Sequence, residues 1–216
     1  MDYRAVLFDF DFTLGDASEA IVAGFQHAFR KMGLPVPEPD AVRRTIGLVL
    51  EDAFTLLSGD PAPERRTQFR AYFTEVAVPM QIEGTRLFPG AVELLEALKE
   101  AGIPAAIVTT KRADTLRRVL ERRGVLPLLA SITGSEDVAK PKPDPEGLLA
   151  AVAAMGLPAE RALFCVDTVI DAETAQRAGA SFAAVLNGTT PAEAFEAFPH
   201  AHIAPDLVEL RTWLGL

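Results

Sequence analysis

Two aspartates stand two residues apart where an apolar run ends: Asp9 and Asp11 in AVLFDFDFTLGD, residues 5–16. On extended backbone, residues i and i+2 face the same way. Their carboxylates repel unless a cation lies between them. Further along, other short apolar runs are also followed by polar residues of chemical use. Thr109 and Thr110 follow IPAAIV, Lys140 lies in AKPKPDP after LASITG, and Asp167 follows RALFCV with Asp171 four residues on. Three carboxylates at strand ends (Asp9, Asp11 and Asp167) suit a hard divalent cation held by oxygen. Three histidines in the chain are too few to favour zinc, so Mg²⁺ is the expected ion. The same set fits phosphoryl chemistry. A carboxylate can attack phosphorus, and a second can protonate the leaving oxygen and then deprotonate water. Thr109 can donate to a phosphoryl oxygen while Lys140 neutralises charge.

These residues need a scaffold that brings strand ends together, and the second half of the chain supplies one. IPAAIVT (103–109), LASITG (129–134), RALFCV (161–166) and SFAAVL (181–186) read as short strands. They alternate with helical stretches such as ADTLRRVLERRG (113–124), a segment near 145–155 and DAETAQRAG (171–179). Such alternation predicts right-handed crossovers and a parallel sheet, whose ligands bind beyond the carboxyl ends of the strands. The first third departs from that pattern. From about Ser18 to Glu83 there is helical periodicity and no convincing strand. ASEAIVAGFQHAFRKMG reads as an amphipathic helix opened by Ser18 and closed by Gly33, with further helices in LEDAFTLLSG and PERRTQFRAYFTEVAV. The expected architecture is a doubly wound, Rossmann-like α/β core (1–15 and 84–216) with an inserted α-helical cap domain (16–83). The hinges fall near 15–18 and 82–88, and a cap on two linkers can close as a lid.

Composition narrows the partners. A formal net charge of −9 over 216 residues argues against nucleic acid, which is bound through basic patches. A single cysteine excludes an internal disulfide and a cysteine metal cluster; Cys165 reads as inert core. MDYRAVLF is too polar for a signal peptide and no run reaches membrane-spanning length. A cytoplasmic protein acting on a small phosphorylated metabolite is expected, as monomer or homodimer, with no nucleic-acid or membrane partner. The two histidines of HAHI (200–203) lack a third ligand and read as an exposed strand or loop.

In order and spacing these stretches resemble the phosphatases of the haloacid dehalogenase superfamily, of the type with a helical cap after the first motif. DFDFT matches the first motif, which makes Asp9 the nucleophile and Asp11 the acid/base. IVTT matches the second through Thr109. KPKP matches the third through its first lysine, Lys140, leaving Lys142 as a solvated neighbour. VDTVID matches the fourth, with Asp167 on the metal and Asp171 just behind it. The resemblance implies an Mg²⁺ site of Asp9, Asp11, Asp167 and Asp171 and an aspartyl-phosphate intermediate. TIGLVLEDAF and LFPGAVELLEALKEAGI are similar to the phosphoglycolate phosphatase-like branch. Substrate contacts are expected from Thr110 and from a cap loop holding Arg44, Thr45, Gly47 and Leu48. Two positions depart from the family pattern: Phe12 stands where glycine is frequent, and Val166 precedes Asp167 where glycine is common. A dehalogenase would need neither Asp11 nor Asp167. A phosphomutase or pyrophosphatase would use the same core, and a non-catalytic binding protein would have no need to keep every motif.

Overall fold

The computed structural model describes residues 3–216. Strand β1 (Ala5–Phe8) is buried at every position, as its continuous apolar run demands of a strand covered on both faces. It lies inside a parallel sheet with β4 (Ala105–Val108), β5 (Ser131–Thr133), β6 (Ala162–Val166), β7 (Ser181–Val185) and β8 (His202–Ala204), in the order β5-β4-β1-β6-β7-β8. The pairing places Phe8 beside Ile107 on one side and Cys165 on the other. Strand order therefore reverses around β1, and the crevice beyond its carboxyl end is the place a ligand is expected.

The period-two alternation of strand side chains divides the core. Val6, Phe8, Ile107 and Cys165 face α5 (Ala91–Glu100), α6 (Ala113–Arg122) and α9 (Leu207–Leu214). Ala5, Leu7, Val108 and Phe164 face α7 (Glu146–Ala154) and α8 (Val169–Ala178). The helices turn leucine-rich stripes inward: Leu94, Leu95 and Leu98 from α5, and Leu116, Val119 and Leu120 from α6, all buried. At the sheet edge His202 pairs with Glu209 at 2.7 Å and stacks on Trp213.

Between β1 and β4 the chain makes four helices: α1 (Ser18–Lys31), α2 (Pro39–Arg43), α3 (Leu50–Ser58) and α4 (Pro63–Gly84). They enclose an aromatic core of their own. Phe54 stacks on Phe69 with centroids 4.6 Å apart, and Phe25 meets Phe69 at 4.9 Å. Each buried phenylalanine contributes about 1.5–3 kcal/mol relative to exposure. Gly24 lets α1 and α4 approach, because a Cβ there would come within 2.7 Å of Ala77 Cβ and the Phe73 ring. Ser18 is the first helical residue rather than the cap; Ala17 holds that position, and the Ser18 N–H donates to Asp16 Oδ1 at 2.8 Å.

A two-stranded antiparallel ribbon, absent from the sequence reading, joins the helical insert to the sheet. It pairs β2 (Gly15–Asp16) with β3 (Arg86–Leu87), Gly15 opposite Leu87. The Phe88 N–H donates to Leu14 O at 3.0 Å. From the C-cap of α6, the Arg123 guanidinium donates to Thr85 O and Glu83 O at 2.6 and 2.7 Å, satisfying carbonyls left open where α4 ends. Among the described residues, no helix is long and apolar enough to cross a membrane.

Candidate active site

Asp9 continues β1, its N–H donating to Cys165 O at 3.0 Å. The chain then folds sharply. The N–H groups of Thr13, Leu14 and Gly15 all donate to Phe10 O, and Phe12 N–H donates to Gly15 O. Phe12 sits at φ 63°, a left-handed conformation that costs an L-residue about 1–2 kcal/mol, so the surroundings must hold it there. The turn sends Asp11 one way and Thr13 another. The Thr13 hydroxyl donates to Asp167 Oδ1 at 2.8 Å. Asp11 receives the Lys111 ammonium at 2.9 Å, and both side chains are largely buried.

The fourth-motif carboxylates come from the end of β6 and the start of α8. Thr168 caps α8: its hydroxyl accepts from Asp171 N–H and donates to Asp171 Oδ2 at 2.6 Å. Asp9, Asp167 and Asp171 are buried and offer carboxylate oxygens within 4.8 Å of one another. Asn187 and Gly188, after β7, close the far side. Asn187 Nδ2 donates to Thr13 O, and a Cβ on Gly188 would lie 2.4 Å from Asp167 Oδ2.

The lysine that enters this cluster is Lys142, not Lys140. Lys142 Nζ lies 2.7 Å from Asp9 Oδ1 and also pairs with Asp171 Oδ1, its side chain only 5 % exposed. Lys140 is exposed and engages the loop through its backbone, the N–H donating to Glu146 Oε2. The two lysines sit two residues apart in one loop, where spacing alone does not reveal which turns inward. Lys142 is therefore no solvated neighbour. Burial alone would depress its pKa, but Asp171 and Asp9 outweigh that and hold it raised and protonated.

The carboxylates feel the opposite pressure. Burial pushes Asp167 well above the usual carboxylate range, and repulsion from Asp9 and Asp171 adds to this. Burial also raises Asp171, against the pull of Lys142. One ammonium facing three buried carboxylates leaves the charge of two uncompensated, the deficit a divalent cation removes. An all-oxygen donor set suits Mg²⁺, and Asp9, Asp167 and Asp171 fit it. Asp11, expected in that set, is not a member of the group: its carboxylate is turned to Lys111. Burial raises the Asp11 pKa and Lys111 opposes the rise.

Thr109 is buried at the end of β4, its hydroxyl accepting from Lys111 N–H at 3.2 Å. The Thr110 hydroxyl donates to Gly47 O at 3.2 Å, joining the sheet to the loop between α2 and α3. That loop lies on the strand ends, since a Cβ on Gly47 (φ 106°) would come within 2.9 Å of Thr168 Cγ2. Beneath it is a cavity of about 100 Å³ between the helical insert and the sheet, lined among others by Asp11, Lys111, Thr110, Thr45, Gly47 and Leu48. Arg44 is exposed and does not line it, because the short helix α2 ends there with Arg44 facing solvent. Thr45 is buried, its hydroxyl occupied by Val42 O at 2.7 Å. Thr13, Lys111 and Gly188 were not singled out from sequence. Thr13 closes the motif DFDFT, and Lys111 directly follows IVTT. Gly188 follows the last buried strand, where a strand-end rule would have pointed.

The chain matches the family model described as haloacid dehalogenase-like hydrolase over residues 6–185. It is 36 % identical over 179 residues to a protein described as "Probable phosphatase IndB" from Dickeya dadantii (strain 3937), covering 81 % of this chain and 77 % of that one. It is 29 % identical to the phosphoglycolate phosphatase of Escherichia coli (strain K12), covering 100 % of this chain and 94 % of the other. A solved structure from Bacteroides fragilis, described as a "Putative haloacid dehalogenase-like hydrolase", superposes with a TM-score of 0.93 at 36 % identity, over 96 % of this chain and 99 % of that one.

Proposed function

The chain belongs to the haloacid dehalogenase-like hydrolases, as a phosphatase of that family, and from that premise we propose that it hydrolyses a small phosphate monoester through an aspartyl-phosphate on Asp9. The observation that carries this reading is the buried cluster at the strand ends. Lys142 bridges Asp9 and Asp171, Asp167 stands beside them, and the charge balance calls for a divalent cation.

Asp9, Asp167 and Asp171 would hold Mg²⁺, which when bound offsets phosphoryl charge and makes the crowded carboxylates compatible. The Asp9 carboxylate attacks phosphorus while the bond to the leaving oxygen breaks. Asp11, which faces the cavity, gives its proton to that oxygen. In the second half Asp11 takes a proton from water, whose oxygen attacks phosphorus and frees Asp9. Burial and Lys111 pull the Asp11 pKa in opposite directions, as suits a group that must both give and take a proton. Lys142 holds the Asp9 carboxylate in place through its 2.7 Å contact, and Thr109 offers its hydroxyl to a phosphoryl oxygen. The helical insert acts as a lid on the β2–β3 ribbon, with the Thr110–Gly47 hydrogen bond as a latch. Residues 16–83 are the cap in this reading, and the protein works in the cytoplasm. The named relatives make phosphoglycolate the first compound to assay.

The test is phosphate release from 4-nitrophenyl phosphate. Asp9→Asn is expected to abolish it, by about 10⁴-fold or more. EDTA is expected to stop the wild-type reaction, with recovery on added Mg²⁺. Turnover by a folded Asn variant at the wild-type rate removes the aspartyl-phosphate mechanism.

A further inference from the structure

The cavity beside Asp11 carries information about the alcohol half of the ester. Most of its wall is apolar, with Ile21, Phe25, Ile46, Leu48, Phe73 and Val78 among the lining residues. Three cationic side chains also line it, and each is already committed. Lys111 pairs with Asp11 at 2.9 Å, Arg70 pairs with Glu51, and Arg112 pairs with Asp114 at 2.7 Å with Glu136 at 3.7 Å. Outside the Asp11–Lys111 pair, which the proposed chemistry occupies, no cation in the wall is left over for an anionic substituent, whose desolvation would go uncompensated. One polar atom is unprovided for. Gln81 lines the cavity from α4, is 4 % exposed, and its Oε1 has no hydrogen-bond partner among the described residues. A buried acceptor without a donor is a standing penalty that a ligand can remove.

Building on the proposed phosphatase reading, we propose that the preferred substrate has an uncharged, largely apolar leaving group bearing one hydrogen-bond donor, such as a hydroxyl, that meets Gln81 Oε1. Size follows from the volume. An apolar cavity of about 150 Å³ takes up benzene, so about 100 Å³ accommodates roughly four or five non-hydrogen atoms. A carboxylate-bearing ester such as phosphoglycolate fits this wall poorly.

The experiment compares kcat/KM on the full-length wild-type chain with Mg²⁺ for matched synthetic esters: 4-hydroxybutyl phosphate, pentyl phosphate and 4-phosphooxybutanoate, with 2-phosphoglycolate and 4-nitrophenyl phosphate alongside. The hydroxybutyl ester should exceed the pentyl ester by about tenfold, the worth of one buried hydrogen bond, and both should exceed the two carboxylates. In Gln81→Met the ratio of hydroxybutyl to pentyl should fall to about one. In Glu51→Gln, which releases Arg70, 4-phosphooxybutanoate should gain relative to pentyl phosphate. A wild-type preference for either carboxylate overturns the inference while leaving the phosphatase intact, and this arm does not depend on any variant folding. An unchanged hydroxybutyl-to-pentyl ratio in folded Gln81→Met overturns the role of Gln81. Failure to release phosphate from every ester, the aryl one included, overturns both readings together.

Discussion

Two lysine–aspartate pairings lie at the strand ends of this molecule and are built to opposite purposes. Lys142 faces Asp9 and Asp171 with Asp167 close by, so its single charge cannot satisfy the carboxylates around it. Lys111 faces Asp11 alone, and that pair is balanced. Both are buried, where an uncompensated charge is expensive. The first region therefore calls for another cation, while the second does not. In the proposed reading, residues of the same type thus serve metal and phosphate in one place and proton transfer in the other. Local charge balance, not residue identity, separates the roles.

That contrast can be broken in several ways. Lys142→Ala should lower kcat by about 10³-fold, whereas Lys140→Ala should stay within about twofold; steady-state phosphate release from an aryl phosphate reads both. Equal losses in the two variants would erase the distinction between inward and outward lysines. Asp11→Asn should lower kcat by about 10²–10³-fold yet still allow Asp9 to be phosphorylated, seen as a labelled enzyme that turns over slowly in rapid-quench measurements. No accumulation of labelled enzyme would remove Asp11 from the hydrolytic step. Gly188→Ala places a Cβ 2.4 Å from Asp167 Oδ2 and should weaken Mg²⁺ affinity by about 10–100-fold, measured by titrating the metal against activity and by calorimetry. An unaltered affinity would mean that Asp167 has room to move. Gly47→Ala introduces strain at φ 106° and a contact 2.9 Å from Thr168 Cγ2. It should disturb the insert on the sheet and raise KM about tenfold with kcat less affected. A change confined to kcat would argue against a substrate-covering role for that loop.

Sheet and helical insert were legible because their signals are periodic. AVLF, AAIV and ALFCV are apolar runs too short for helices, and the four-helix stretch lacks any strand-like alternation. The ribbon was not legible, since two-residue strands carry no period; Gly15–Asp16 and Arg86–Leu87 pair only because the fold brings them together. At the site, Asp9 and Asp167 could be read from their positions at strand ends, and Asp171, in the first turn of α8, from its spacing to Asp167. Lys142 could not be told from Lys140, because loops have no periodicity to fix which side chain turns inward. Asp11 lies one strand period from Asp9, which suggested a shared ion, but the turn at Phe12 breaks the strand and points Asp11 towards Lys111. Charge complementarity in three dimensions decided what linear spacing left open.

The ribbon has a consequence for how such a molecule can change. With Gly15 opposite Leu87, the chain departs from the sheet and returns to it one strand spacing apart, about 5 Å. Whatever lies between is a closed excursion whose closure entropy grows only with the logarithm of its length. Helices in that excursion can be lengthened, exchanged or resculpted without pulling on the strands that carry the acids. The chemistry stays anchored while the roof over it is free to diversify.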